Sequence, residues 1–84
     1  MPTVLRSRPY RFYFHSHEPN EPPHMYVDRD DQSAKFWLDP VGLVRNFGFS
    51  PHELLAIERI VRGHQKELLE AYHDYMGTQA GRTS

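Results

Sequence analysis

The chain has 84 residues, a formal net charge of -1 and a pI near 6.6, which is one small domain with no whole-chain charge argument for nucleic acid or membrane. A domain of this size buries only about 60–65% of the surface its unfolded chain exposes, so a function at a surface or shared interface is expected rather than one in a deep cavity. The absence of cysteine excludes disulfides, thiolate nucleophiles and cysteine-ligated zinc together.

Residues 3–6 are short and β-prone, and Ser7-Arg8-Pro9 breaks the run. Tyr10 to His15 is the strongest strand signal, dense in aromatics that suit a pleated surface. Ser16 to Pro23 holds three of the seven prolines, which excludes helix or central strand and predicts an ordered, semi-rigid loop. His24 to Asp28 reads as the next strand, Arg29 to Gln32 as a polar turn, and Ser33 to Leu38 as a third strand. Asp39-Pro40-Val41-Gly42 fits a type I turn, and Leu43 to Phe47 a last strand or extended segment.

Ser50-Pro51-His52-Glu53 is a capping box with proline at the first helical position. Ser50 is expected to accept the Glu53 N–H and Glu53 to reach back to the Ser50 N–H. Leu54, Ile57, Val61, Leu68, Ala71 and Tyr75 then recur at helical spacing, with Leu55, Ile60, Leu69, Tyr72 and Met76 widening the stripe. One helix over about Pro51–Met76 follows, stopped at Gly77. The predicted fold class is α+β: a small antiparallel sheet of three to five strands packed against one long C-terminal amphipathic helix. Residues 1–76 form the single domain and 77–84 a frayed tail. No apolar run approaches the about 20 residues that span a bilayer, and Met-Pro-Thr-Val-Leu-Arg lacks the layout of a signal peptide. A cytoplasmic protein without membrane contact is expected.

Alternation assigns the sheet two faces. Tyr10, Phe12, Phe14, Met25, Val27, Ala34, Phe36 and Leu38 form the core face under the helix. The other face holds Arg11, Tyr13 and His15, then His24, Tyr26 and Asp28, then Lys35 and Trp37. A bulge in any strand would swap faces downstream of it. Large aromatics beside cations and imidazoles suit a protein interface or stacking of unpaired bases with phosphate contacts. Alternatively, Tyr13, Tyr26 and Trp37 simply cover the sheet as cross-strand pairs. The candidate binding residues are Arg11, Tyr13, His24, Tyr26, Lys35 and Trp37.

Six histidines invite a metal reading. Yet His15, His17 and His24 match no zinc-ligand spacing, and His52, His64 and His73 fall on the helix as surface or satisfied core residues. No metal and no cofactor is expected. A metal-independent ribonuclease needs proton-transfer groups and cations at one phosphate. His24 and His15 would serve as acid and base, with Arg11, Lys35 or Arg45 for charge. No phosphate loop, nucleophile elbow or dinucleotide fingerprint is present. Arg59, Arg62 and Lys66 read as part of a solvated helix face.

Met1-Pro2-Thr3-Val4, the Tyr10–Phe14 strand, Glu21-Pro22-Pro23-His24-Met25-Tyr26-Val27, Ala34-Lys35-Phe36-Trp37-Leu38 and the helix opening after Gly48-Phe49-Ser50 resemble a bacterial family known mainly as a domain of unknown function (number four-one-six-zero). The resemblance reaches to about Tyr75, and its most specific piece is Pro22-Pro23-His24 leading into a strand. Members of that family often carry a second histidine where this chain has Tyr26, which weakens a two-histidine scheme here. The resemblance implies a small prokaryotic cytosolic protein, the toxin-like member of a toxin–antitoxin-like gene pair, with a small antitoxin-like protein partner. The leading expectation is therefore an interaction protein whose aromatic and basic sheet face binds that partner or RNA, with a homo-oligomer also open. The alternatives are a ribonuclease using His24 with Arg11, and a non-catalytic structural or regulatory module.

Overall fold

The computed structural model describes residues 3–14 and 20–81, the side chains of residues 3, 4 and 77–81 excepted. The strands are β1 (Thr3–Ser7), β2 (Tyr10–Tyr13), β3 (His24–Arg29), β4 (Gln32–Leu38) and β5 (Val41–Phe47), followed by helices α1 (Pro51–Gly63) and α2 (Gln65–Gly81). The strands form one five-stranded antiparallel sheet in the order β1-β2-β3-β4-β5.

Three of the strand connections are two-residue loops, closed by the pairs Ser7↔Tyr10, Arg29↔Gln32 and Leu38↔Val41. In the second, Asp30 takes a positive φ of 55°, a conformation that a short polar side chain tolerates. The third corrects the type I turn expected over Asp39–Gly42. Val41 and Gly42 already belong to β5, and Pro40 stands at the third turn position in cis, the type VI arrangement.

The core face is the one the alternation indicates. Phe12, Met25, Val27, Ala34, Phe36 and Leu38 are buried against Ile57, Val61, Leu68 and Tyr72 of the helices. The assignment survives because the register shifts lie at Val4 and Val44, in the two edge strands. The alternation through β2, β3 and β4 is therefore unbroken. Leu55, expected to widen the helix stripe, is instead 59% exposed.

At the helix start, Ser50 Oγ accepts the Glu53 N–H at 3.2 Å, as a capping box requires. The return half is replaced. The Glu53 carboxylate accepts from Arg29 Nη1 at 2.5 Å and from the Tyr10 hydroxyl at 3.3 Å, tying the first helical turn to the sheet. That hydrogen bond raises the Arg29 guanidinium pKa still further.

The single long helix is also corrected. His64 leaves helical geometry at φ -118° and ψ 17°, and its N–H is shared between the Ile60 and Val61 carbonyls. Its Nδ1–H donates to Ile60 O at 2.9 Å, so the imidazole satisfies a helix-end carbonyl. Two local causes coincide. Gly63 lowers helix propensity by about 1 kcal/mol relative to alanine. The next stripe positions after Val61 are the polar His64 and Gln65 rather than apolar residues. Gln65 Nε2 then donates to Leu38 O at 2.8 Å, fixing the start of α2 to the sheet. Helix α2 continues past the expected stop at Gly77 to Gly81.

The turn between β5 and α1 depends on Gly48. Its φ is 104°, and a Cβ there would stand 3.1 Å from Gln32 Cγ. Gln32 Nε2 donates to Gly48 O, and the Asn46 side chain brackets Phe49 by accepting its N–H and donating to its carbonyl.

Candidate interaction face of the sheet

The second face, opposite the helices, is built in rows by the strand register. One row runs Arg6, Arg11, Asp28, Ser33 and Phe47 across the five strands. The next runs Tyr13, Tyr26, Lys35 and Arg45, and a third holds His24, Trp37 and Gly42. Every candidate binding residue is therefore on one face. His15 and His17 lie outside the described residues.

The rows differ sharply in exposure. Tyr13, His24 and Lys35 are buried at 8%, 4% and 7% exposure. This corrects the picture of an open face at these positions. Tyr13 is covered by Tyr26, Arg11 and Asp28, and part of the cover over His24 and Lys35 comes from residues 20–23, which extend the β3–β4 pairing by one rung. Pro23 O accepts the Leu38 N–H at 2.9 Å, Pro22 O accepts from His24 Nδ1 at 2.8 Å, and the Glu21 carboxylate pairs with Lys35 Nζ. Because a carbonyl only accepts, His24 carries its proton on Nδ1 in this arrangement. Glu21 Oε1 also lies 3.7 Å from that nitrogen.

The aromatic rings are turned largely on one another. Tyr13 and Tyr26 stack at 5.8 Å with 21° between planes. His24 meets Tyr26 and Trp37 edge-on, and its ring lies 5.9 Å from that of Tyr72 on α2. The Lys35 ammonium sits 5.7 Å from the Tyr26 ring and 5.5 Å from the Trp37 ring, and Arg11 lies 4.9 Å over Tyr13. Such cation–π contacts stabilise a desolvated cation. Arg11 further pairs with Asp28 at 3.4 Å, while the Tyr13 hydroxyl donates to the other Asp28 oxygen at 3.0 Å. Burial, and then the Asp28 hydrogen bond and charge, push the Tyr13 pKa up to about 12.

This geometry separates the proposed acid/base group from its cation. His24 and the Arg11–Asp28 pair are four residues apart along β3, which at about 3.3 Å per residue is about 13 Å, with the stacked tyrosines between them. Among the described residues, no three His, Asp or Glu side chains cluster to hold a metal ion.

The face opens beside β5. A cleft of about 180 Å³ is lined by Glu21, Tyr26, Ser33, Lys35, Arg45 and Phe47, with Ala34 beneath. Phe47 is 59% exposed. Sequence reasoning named Arg45 only as a possible phosphate cation and missed Phe47. The signal was the alternation of β5 counted back from Phe47, which needs the bulge at Val44 to be known.

No described helix is long and apolar enough to cross a membrane. Neither the curated proteins nor the solved structures contain a match to this chain. Residues 10–73, which carry the sheet from β2 onward, α1 and the first half of α2, match the family described as Domain of unknown function (DUF4160), and the chain belongs to that family.

Proposed function

We propose that this chain is a small cytoplasmic interaction protein, the toxin-like member of a toxin–antitoxin-like pair, and that it seats a small protein partner on the second sheet face. The observation that supports this reading is the open end of the face, where exposed Phe47 and Arg45 border a cleft next to half-buried Trp37 and Tyr26. Aromatic and arginine side chains around a depression are the usual anchors of a protein interface. A protein partner is favoured over RNA because base stacking needs open ring faces. Those of Tyr13 and Tyr26 are engaged with each other, with Arg11 and with Lys35.

Calorimetric titration of the purified chain with the small protein encoded beside its gene tests the reading. Truncating an anchor, as in Trp37→Ala or Phe47→Ala, should weaken binding by about 2 kcal/mol, roughly thirtyfold. An unchanged affinity in both variants would refute it. Cleavage of single-stranded RNA by the chain in EDTA would instead promote the ribonuclease alternative.

A further inference from the structure

We infer that the cleft beside Arg45 receives an acidic side chain from an extended segment of the partner protein, added as a strand to the free edge of β5, with an apolar residue of the same segment against Phe47. This rests on the interaction reading above and gives its ligand a chemistry.

Register places Lys35 and Arg45 directly opposite one another on the same face. Like charges so placed repel, and opposite charges there stabilise. Lys35 is answered from within the chain by the carboxylate of Glu21. Arg45 is exposed and has no ion-pair partner among the described residues. The face therefore already takes one carboxylate at this spot and presents a second cation for another. The cleft's about 180 Å³, at about 30 Å³ per water molecule, has room for one such side chain in place of several waters.

The backbone supplies the second element. Among the described residues β5 pairs only with β4, so its outer edge carries N–H and C=O groups without a strand partner there. Strand addition to such an edge draws affinity from main-chain hydrogen bonds and specificity from alternate side chains. Arg45 and Phe47 are two residues apart and share a face, so they are read by residues two apart in the added strand. An antiparallel strand meets Phe47 first. Its N-to-C order is then apolar, any residue, acidic; a parallel strand reverses the order.

Two capped peptides of alternating threonine, centred on Phe-Thr-Glu and on Phe-Thr-Gln, test this by amide shift mapping on the folded chain. The Glu peptide should shift the amides of Val41–Phe47 and bind at least tenfold more tightly than the Gln peptide. Arg45→Gln, at an exposed position that leaves the fold intact, should remove that difference. Equal affinity of the two peptides, shifts confined to other elements, or no shift at millimolar peptide would overturn the inference. So would single-stranded RNA shifting the same amides while the Glu peptide does nothing. A charge can also merely guard an edge against self-association. In that case Arg45→Gln would promote self-association and leave peptide binding untouched, again overturning the inference. Full-length partner binding that falls with Phe47→Ala but ignores Arg45→Gln would sink the acidic segment alone. Indifference to Trp37→Ala and Phe47→Ala would sink the interface with it.

Discussion

Glu21→Gln and Lys35→Met should have unequal effects, although each removes one partner of the same ion pair. The Lys35 side chain is only 9% exposed, between the Tyr26 and Trp37 rings, whereas that of Glu21 is 38% exposed. Glu21→Gln removes this carboxylate from an ammonium held in a largely desolvated site. Breaking a fully buried pair this way costs about 3–5 kcal/mol. Exposure of Glu21 and the neighbouring rings discount that here to about 1–2 kcal/mol. Lys35→Met removes the buried charge, fills the same space between the rings and leaves Glu21 to water, so it should cost under about 1 kcal/mol. For a domain of this size, about 1 kcal/mol moves the melting temperature by about 4–8 °C. The difference is readable by circular dichroism melts and by urea titration at constant slope. A Glu21→Gln variant as stable as the parent, or a Lys35→Met variant that loses more, would refute the reasoning. Lys35 would then owe its position to other contacts, not to the residue 20–23 segment.

Ile57→Asp or Val61→Asp should abolish the cooperative unfolding transition. Both side chains are fully buried, and an unpaired buried charge costs several kcal/mol in a domain whose total stability is about 4–12 kcal/mol. Tyr13 should ionise near pH 12 in an ultraviolet absorbance titration, well above the ordinary tyrosine range. Its folded pKa is raised above the unfolded value of 10.0, so the stability it contributes is whole below pH 10 and is lost as pH climbs towards 12. Tyr13→Phe should flatten that loss, and an alkaline melt unchanged by the substitution would count against it. The melting temperature should be the same with and without EDTA, since no metal-holding cluster occurs among the described residues. A large drop on chelation, with stoichiometric zinc in the purified protein, would bring His15, His17 and His24 back as ligands.

The sheet was legible in the sequence because its three inner strands keep strict alternation, and both bulges fall in the edge strands outside them. Ser50-Pro51 marked the start of α1 equally well, since the cap is local chemistry. The break at His64 was not legible. An apolar stripe tolerates one polar gap on paper, and only the backbone of His64, outside helical geometry, shows that the helix is interrupted there. Nor could the sequence show that Tyr13, His24 and Lys35 would be buried. His24 and Lys35 are covered in part by Pro22 O and the Glu21 carboxylate, and Tyr13 by the Tyr26 ring, Arg11 and Asp28, contacts that strand alternation does not reveal. The open site was missed for a related reason. Arg45 and Phe47 join the second face only once β5 is registered across its bulge.

The unusual composition of the second face divides into two regions. Around Tyr13, His24 and Lys35, aromatic rings and cations compensate one another, and packing alone accounts for the residue types. That explanation stops at β5. If the face existed only to cover the sheet, an acid opposite Lys35 would add about 0.2–1 kcal/mol as a cross-strand pair. A small polar residue at the Phe47 position would keep an apolar ring out of water. Position 45 holds a second cation instead, and position 47 a phenylalanine more exposed than buried. Both choices forgo stability in the free chain, and under the proposed binding mode both would regain it when a carboxylate and an apolar side chain arrive together. That coincidence on adjacent same-face positions of an edge strand is what the proposed interface would account for and a mere cover would not.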